Sequence, residues 1–169
     1  MIKTDAMIRV NQAGEYGAKR IYAGQLAVMG NCHASASTIA HMAAQEERHL
    51  DAFNTMIAKR GVRPTLLQPF WHVAGFALGA ATALMGPEAA MACTAAVETE
   101  IDRHYTEQLE ELGTTDPELS AAVIDFQADE LEHKATALAQ GAERALGYPL
   151  MSAIIRAGCR TAIMLSKAV

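Results

Sequence analysis

A glutamate followed three residues later by a histidine occurs twice, as Glu46-Glu47-Arg48-His49 and as Glu130-Leu131-Glu132-His133. On a helix, residues three apart share a face, so each pair offers one carboxylate and one imidazole to a single point. With 6 histidines in 169 residues, chance alone supplies roughly half of one such pair, so the pairs by themselves are a weak signal. The spacing strengthens it. Glu15 stands 31 residues before Glu46 and Glu98 stands 32 before Glu130. The chain reads as one helical hairpin, Glu then Glu-x-x-His, used twice.

That pattern predicts an all-α fold, and the rest of the sequence agrees. Half the residues are apolar, aromatics are scarce, and no stretch alternates like a strand bounded by turns. A first helix is expected from about Asp5 to Met29, broken at Gly30-Asn31, and a second from about Ser35 to Lys59, stopped by Gly61 and Pro64. The most apolar part, Leu66 to Val97, is punctuated by Pro69, Gly75, Gly79 and Gly86-Pro87. Pro87 near a first turn starts a helix that runs to about Leu112. Asp116 is a candidate N-cap for a helix from Pro117 to about Leu146. Gly147-Tyr148-Pro149 is expected to end it, before a last helix over Ser152 to Lys167. Four long helices with two more apolar ones predict a ferritin-like four-helix bundle with two additional helices. The length, 169 residues, suits one domain over 1–169 and is too short for two comfortable ones.

The net charge is −5 and the basic residues are scattered, apart from a loose Lys59, Arg60, Arg63 cluster, so no nucleic-acid surface is expected. Cys32, Cys93 and Cys159 are odd in number and far apart, which excludes an even disulfide framework and argues for a reducing setting. Asp5 and Arg9 sit where a secretory signal would be apolar, so no leader is expected. Leu66 to Met85 is about long enough to span a bilayer, but it contains Gln68, Pro69 and His72 and is rich in small residues. A helix lying on a membrane, or packed as a crossover, is the expectation. Phe70 and Trp71 suit an interface or plug the bundle end, and Arg60 and Arg63 could meet anionic head groups.

Helical phase places the glutamates in the core. Glu46 shares its face with Ile39, Met42, Leu50 and Phe53. Glu130 shares its face with Val123, Phe126, Ala137 and Leu138, and Glu98 with Met91, Thr94, Ile101 and Tyr105. Glu15 is the weakest member, since Gln12 and Lys19 flank it. An isolated buried carboxylate is costly, and four of them with two histidines cannot satisfy one another by hydrogen bonds. A pair of cations can, and a mixed oxygen and nitrogen set suits iron or manganese better than calcium. The metal-free alternative is a polar core of Glu–His hydrogen bonds.

Other residues leave more than one role open. His33 and His41 fall on loop or outer positions, and His72 reads as a packing or interface residue. His104 and Tyr105 follow Glu98 by up to two turns. They are candidate catalytic residues, with Tyr105 either approaching the metal or serving as a core tyrosine. Asp129 either serves His49 across the bundle or is solvated.

The segment Arg9-Val-Asn-Gln-Ala-Gly-Glu-Tyr-Gly-Ala18 with Arg20-Ile-Tyr-Ala-Gly-Gln25 resembles the opening of the demethoxyubiquinone hydroxylases. So do Arg63-Pro-Thr-Leu-Leu67, Gly75-Phe-Ala-Leu-Gly-Ala80, Met91-Ala-Cys-Thr-Ala-Ala-Val-Glu98, His104-Tyr105, Asp129-Glu-Leu-Glu-His133 and Ala157-Gly-Cys-Arg160. The similarity covers nearly the whole chain in order. It implies a di-iron monooxygenase of ubiquinone biosynthesis, hydroxylating the ring of a polyprenylated methoxy-methyl-benzoquinol. It also implies two iron ions per chain bridged by Glu46 and Glu130, one also held by Glu15 and His49, the other by Glu98 and His133. The implied partners are the polyprenyl quinol, molecular oxygen, an electron donor such as NADH, other ubiquinone-biosynthesis proteins and a membrane surface. The expected location is peripheral, on the cytoplasmic face of the cell membrane. The residues alone reach a di-metal bundle and not the quinone. A ferritin-like iron-oxidising or iron-handling protein is the alternative, and a metal-free interaction protein a further one.

Overall fold

A computed structural model describes residues 3–30 and 33–169, with Lys3 as backbone only. The expected break at Asn31, together with Cys32 and the first two residues, lies outside the described residues. Those described form six α-helices and no strand: α1 (Lys3–Met29), α2 (Ala36–Arg60), α3 (Gln68–Leu84), α4 (Pro87–Leu112), α5 (Pro117–Ala139) and α6 (Tyr148–Ala168). One 3-10 turn, Ala142–Arg144, joins the last two.

Most boundaries follow the turn chemistry. Gly61 ends α2 at φ 65°, a conformation that only glycine adopts without strain. Asp116 caps α5 by accepting from the Leu119 N–H at 3.1 Å, and Arg60 holds the same carboxylate. Two expectations fail together at the C-terminal end. The helix expected to reach Leu146 stops at Ala139, because Gly141 at φ 93° turns the chain. Ala142 and Ala145 then drop into the apolar core, and Gln140 reaches the Thr38 hydroxyl. The segment expected to end a helix instead starts one, with Gly147 at the N-cap and Pro149 within the first turn.

The helices pair as two hairpins, α1 with α2 and α4 with α5; α3 lies on α1, and α6 on α4. The α1–α3 crossing is a contact of backbone on backbone. A Cβ on Gly79 would lie 1.9 Å from the Ile21 carbonyl oxygen, and one on Gly24 would lie 2.2 Å from that of Phe76. The glycines of the apolar stretch therefore set the interhelical distance rather than breaking the helix. At the other crossing, wholly buried Glu100 on α4 accepts from Arg156 at 2.6 Å and from Arg160 at 3.0 Å, tying α6 down.

Of three apolar clusters among the described residues, two flank the centre of the bundle. Tyr22, Ile39, Met42, Met91 and Ala137 form one, and Ile8, Phe53, Tyr105, Leu119 and Phe126 belong to the other. On each of α1, α2, α4 and α5 the key glutamate lies between a residue of the first cluster and a residue of the second. The candidate site is thus sandwiched between two dry layers. Leu138, expected in this core, is 37% exposed instead, because Ala137 takes the inward face and Leu138, eight residues after Glu130, lies roughly 80° round the helix.

Candidate metal centre

Each of four helices delivers one carboxylate to the sandwiched layer, and α2 and α5 add an imidazole one turn on. Glu15, Glu46, His49, Glu98, Glu130 and His133 are all 0–1% exposed. Glu15 is as buried as the rest because Gln12 turns inward to Asn54 while Lys19 reaches out to Glu47. The six fall into two overlapping groups, Glu15, Glu46, His49, Glu130 and Glu46, Glu98, Glu130, His133. Within each group one ligand-type atom from every residue lies within 4.8 Å of the others. Glu46 and Glu130 are common to both.

The imidazoles face inward through Nδ1. His49 Nδ1 is 3.1 Å from Glu130 and 3.4 Å from Glu15, and His133 Nδ1 is 3.1 Å from Glu130 and 3.3 Å from Glu46. Their outer nitrogens meet oxygen acceptors, an arrangement in which Nε2 can keep a proton while Nδ1 is given to a cation. His49 Nε2 donates to Asp129 Oδ2 at 2.9 Å and His133 Nε2 to Gln45 Oε1 at 3.1 Å. Asp129 therefore does reach across the bundle to His49. Two tyrosines complete the shell. Tyr22 on α1 donates to Glu98 at 2.9 Å, and Tyr105 on α4 donates to Glu15.

The electrostatics are those of too much negative charge in too little water. Burial first, then the neighbouring carboxylates Glu130 and Glu15, push Glu46 well above the usual carboxylate range. Burial and Glu130 do the same to Glu98. Burial lowers the His49 imidazole, but the facing carboxylates of Glu130 and Glu15 outweigh it and hold the ring up at about 10. Without a cation, the cluster holds protons to limit its own charge.

Of the tentative catalytic residues, Tyr105 bonds Glu15 rather than Glu98, because it projects across to the facing helix. His104 touches no ligand atom. Its Nε2 lies 2.8 Å from Gln108, which exchanges amide hydrogen bonds with Asn11, and burial and then Lys167 and Arg103 lower the ring to about 4. His41 is exposed, whereas His33 is half-buried and accepts from the Ser35 N–H. His72 bonds the Tyr16 hydroxyl. Tyr22, Gln45, Gln108 and Glu100 were not anticipated as partners. Two of them had a readable signal: Tyr22 follows Glu15 by the seven residues that separate Tyr105 from Glu98, and Gln45 precedes Glu46 as Asp129 precedes Glu130.

Beside the cluster lies an apolar cavity of about 350 Å³ between α1, α3, α4 and α6. Gly14 and Val97, the chain neighbours of Glu15 and Glu98, line it, with Gly17, Ile21, Leu78, Ile155 and Trp71. Trp71 is held by its indole N–H, which donates to Ser166 at 3.0 Å. Among the described residues no helix is long and apolar enough to cross a membrane. Arg60, expected to face lipid head groups, is instead committed to Asp116 and Glu118.

The profile of the family described as ubiquinone biosynthesis protein COQ7 matches residues 2–166. The chain belongs to this family. It is 52% identical over 165 residues to the 3-demethoxyubiquinol 3-hydroxylase of Rhodospirillum rubrum, covering 98% of this chain and 78% of that one. It is 51% identical over 167 residues to the NADPH-dependent 3-demethoxyubiquinone 3-hydroxylase, mitochondrial, of Mus musculus, covering 96% and 76%. With the 5-demethoxyubiquinone hydroxylase, mitochondrial, of Saccharomyces cerevisiae the identity is 43% over 175 residues, covering 94% and 75%. The resemblance first drawn from short motifs thus extends across the chain.

Whether this COQ7-family chain can hold a metal is answered by its buried atoms. Glu15 Oε2, both oxygens of Glu46, His49 Nδ1, Glu98 Oε2 and Glu130 Oε1 are buried without a hydrogen-bond partner. Orphaned acceptors in a core are rare and costly. Six of the nine such side-chain atoms among the described residues converge here and are of ligand type, so the residues fit a bound metal.

Proposed function

We propose that this chain is an oxygen-dependent di-iron monooxygenase. It hydroxylates the ring of a polyprenylated methoxy-methyl-benzoquinol, a demethoxyubiquinol, in ubiquinone biosynthesis. The single observation that carries the reading is the pair of overlapping groups of buried, unpartnered carboxylate and imidazole atoms, in a chain whose relatives bear demethoxyubiquinol hydroxylase names. In this reading the fold is a ferritin-like bundle forming one domain over residues 1–169. Every helix packs against at least one other, with no separable unit among the described residues, which supports it.

Glu46 and Glu130 would bridge two iron ions, with Glu15 and His49 on one and Glu98 and His133 on the other. When bound, the pair supplies the redox equivalents for splitting oxygen, which a donor such as NADH or NADPH must replenish. The chain itself does three things. Its two apolar layers exclude water from the reacting centre. Its hydrogen bonds from Tyr22 and Tyr105 hold the outer carboxylates in place. Its apolar cavity offers an oily tail a place to lie while the ring approaches Glu15 and Glu98 through the Gly14 and Val97 wall. Such a lining favours an organic substrate over iron storage, for which a polar entry path would be expected.

A long-tailed quinol must be collected from a bilayer. Leu66, Phe70 and Val73 on and before α3, and Leu146, Leu150 and Ile154 on and before α6, are 60–92% exposed. That supports peripheral attachment to a membrane, which in this reading is the cytoplasmic face of the cell membrane. The test is to load the protein with ferrous iron, measure metal per chain, and follow oxygen-dependent conversion of a short-tailed demethoxyquinol by mass. About two irons and a product heavier by one oxygen are expected. Saturation near zero, or two irons with no product, would sink the reading.

A further inference from the structure

The two halves of the centre mirror one another layer by layer, and they differ at one position. Glu15 and Glu98 each receive a tyrosine hydroxyl from the opposite half, from Tyr105 and Tyr22. Each of these tyrosines lies seven residues after the glutamate of its own helix. His49 and His133 each turn Nδ1 inward and give Nε2–H to the residue that precedes the Glu-x-x-His of the facing helix. Here the symmetry breaks. The partner of His49 is the carboxylate of Asp129, and the partner of His133 is the neutral amide of Gln45.

A carboxylate behind an imidazole makes the ring a stronger donor than an amide carbonyl does, because it stabilises positive charge on the ring. Arg48 also binds Asp129, at 2.5 Å, but the same guanidinium is shared with Asp125 at 2.6 Å, so the Asp125–Arg48–Asp129 group keeps one net negative charge. Asp129 is 19% exposed against 51% for Arg48 and 61% for Asp125, so the carboxylate that faces His49 is the least screened of the three. On the Gln45 side the structure offers no equivalent.

We infer that the two metal positions are unequal: the Glu15–His49 position binds a divalent cation more tightly and fills first, and Asp129 and Gln45 are the positioning residues that set the difference. The inference rests on the two-ion reading above.

Cobalt(II), added alone to the metal-free full-length chain and followed by its visible absorption and by calorimetry, tests it. The unaltered chain should bind in two resolved steps. Asp129→Asn should weaken the tighter step by roughly 10-fold or more, the usual size of an outer-partner change, and leave the weaker one in place. Gln45→Glu should tighten the weaker step toward the stronger, a gain of affinity that no folding defect can imitate. Glu98→Ala should leave the tight step, and Glu15→Ala only the weak one. Two equal steps indifferent to Asp129→Asn, or a tight step that survives Glu15→Ala and is lost in Glu98→Ala, would overturn the inference while leaving the two-ion reading intact. No cobalt bound by the unaltered chain would overturn the two-ion reading, and this inference with it.

Discussion

Replacing Glu46 by methionine separates a carboxylate kept for metal from one that holds the fold. Glu46 is wholly buried, and neither of its oxygens has a hydrogen-bond partner. Glu46→Met keeps the side-chain length and removes both unsatisfied acceptors, so no large cavity opens. Each unpaired buried polar group costs about 1–3 kcal/mol, so the metal-free variant should be more stable by about that amount. For a chain of this size, each kcal/mol moves Tm by roughly 2–4 °C, so a rise of about 2–12 °C is expected. The unaltered chain should gain a further ~2.7 kcal/mol, or roughly 5–11 °C, from ferrous iron at a hundredfold excess over Kd, and the variant should lose most of that gain. The pH dependence has a definite sign. The folded-state pKa of Glu46 is raised, so its contribution to metal-free stability is full below its unfolded value near 4.5 and is lost as pH rises through the folded value. His49, held up at about 10, acts in the same direction, with its stability present below 6.5 and lost as pH rises through about 10. His104, lowered to about 4, acts oppositely between 6.5 and 4. Thermal unfolding by circular dichroism, without iron from pH 4 to 10 and with iron near neutrality, reads all of this. The difference between variant and parent should grow with pH. A variant that is less stable without metal, or that keeps the full iron shift, would show that Glu46 belongs to a satisfied core network and would refute the reasoning.

Gly79→Ala should part α1 from α3, since its Cβ starts 1.9 Å from a carbonyl oxygen. The overpacking cost of about 1–3 kcal/mol should lower Tm by roughly 2–12 °C, whereas Gly158→Ala, with nothing within 4 Å, should leave Tm level or raise it. Tyr105→Phe and His104→Ala should retain both irons by elemental analysis while changing turnover, the first by freeing Glu15 and the second by breaking the Gln108–Asn11 network. Unchanged kinetics in both would demote them to core residues. Phe70→Ser with Val73→Ser removes side chains that are 60% and 66% exposed, and should weaken flotation with anionic liposomes and slow long-tailed substrate more than short-tailed. Equal flotation of variant and parent would place the membrane face elsewhere.

The sequence made the six inward ligand-type residues and the four long helices legible for one reason: a carboxylate repeated at helical spacing inside an apolar face has no cheap explanation. The apolar run from Leu66 and the break at Gly86-Pro87 also located α3, but not what its glycines do. Close approach of two backbones is a property of a pair of helices, and only the carbonyl oxygens of Ile21 and Phe76 reveal it. α5 stops short of Leu146 at Gly141, a residue that a helix can also run through. The stop comes from what Ala142 and Ala145 gain by entering the core, a tertiary term that propensity does not contain. Glu100 was passed over in a charged run for a similar reason, since its partners Arg156 and Arg160 are more than fifty residues away and lie on the helix whose start was misplaced. Tyr22 and Gln45 are a different case. Their roles follow from laying one hairpin over the other, because a duplicated arrangement of ligands demands duplicated support. The repeat of the ligands alone shows neither the shared scaffold nor its one unmatched pair. Where a repeat is nearly perfect, the position that departs from it is where the two sites can be made to behave differently, and here that position is Asp129 against Gln45.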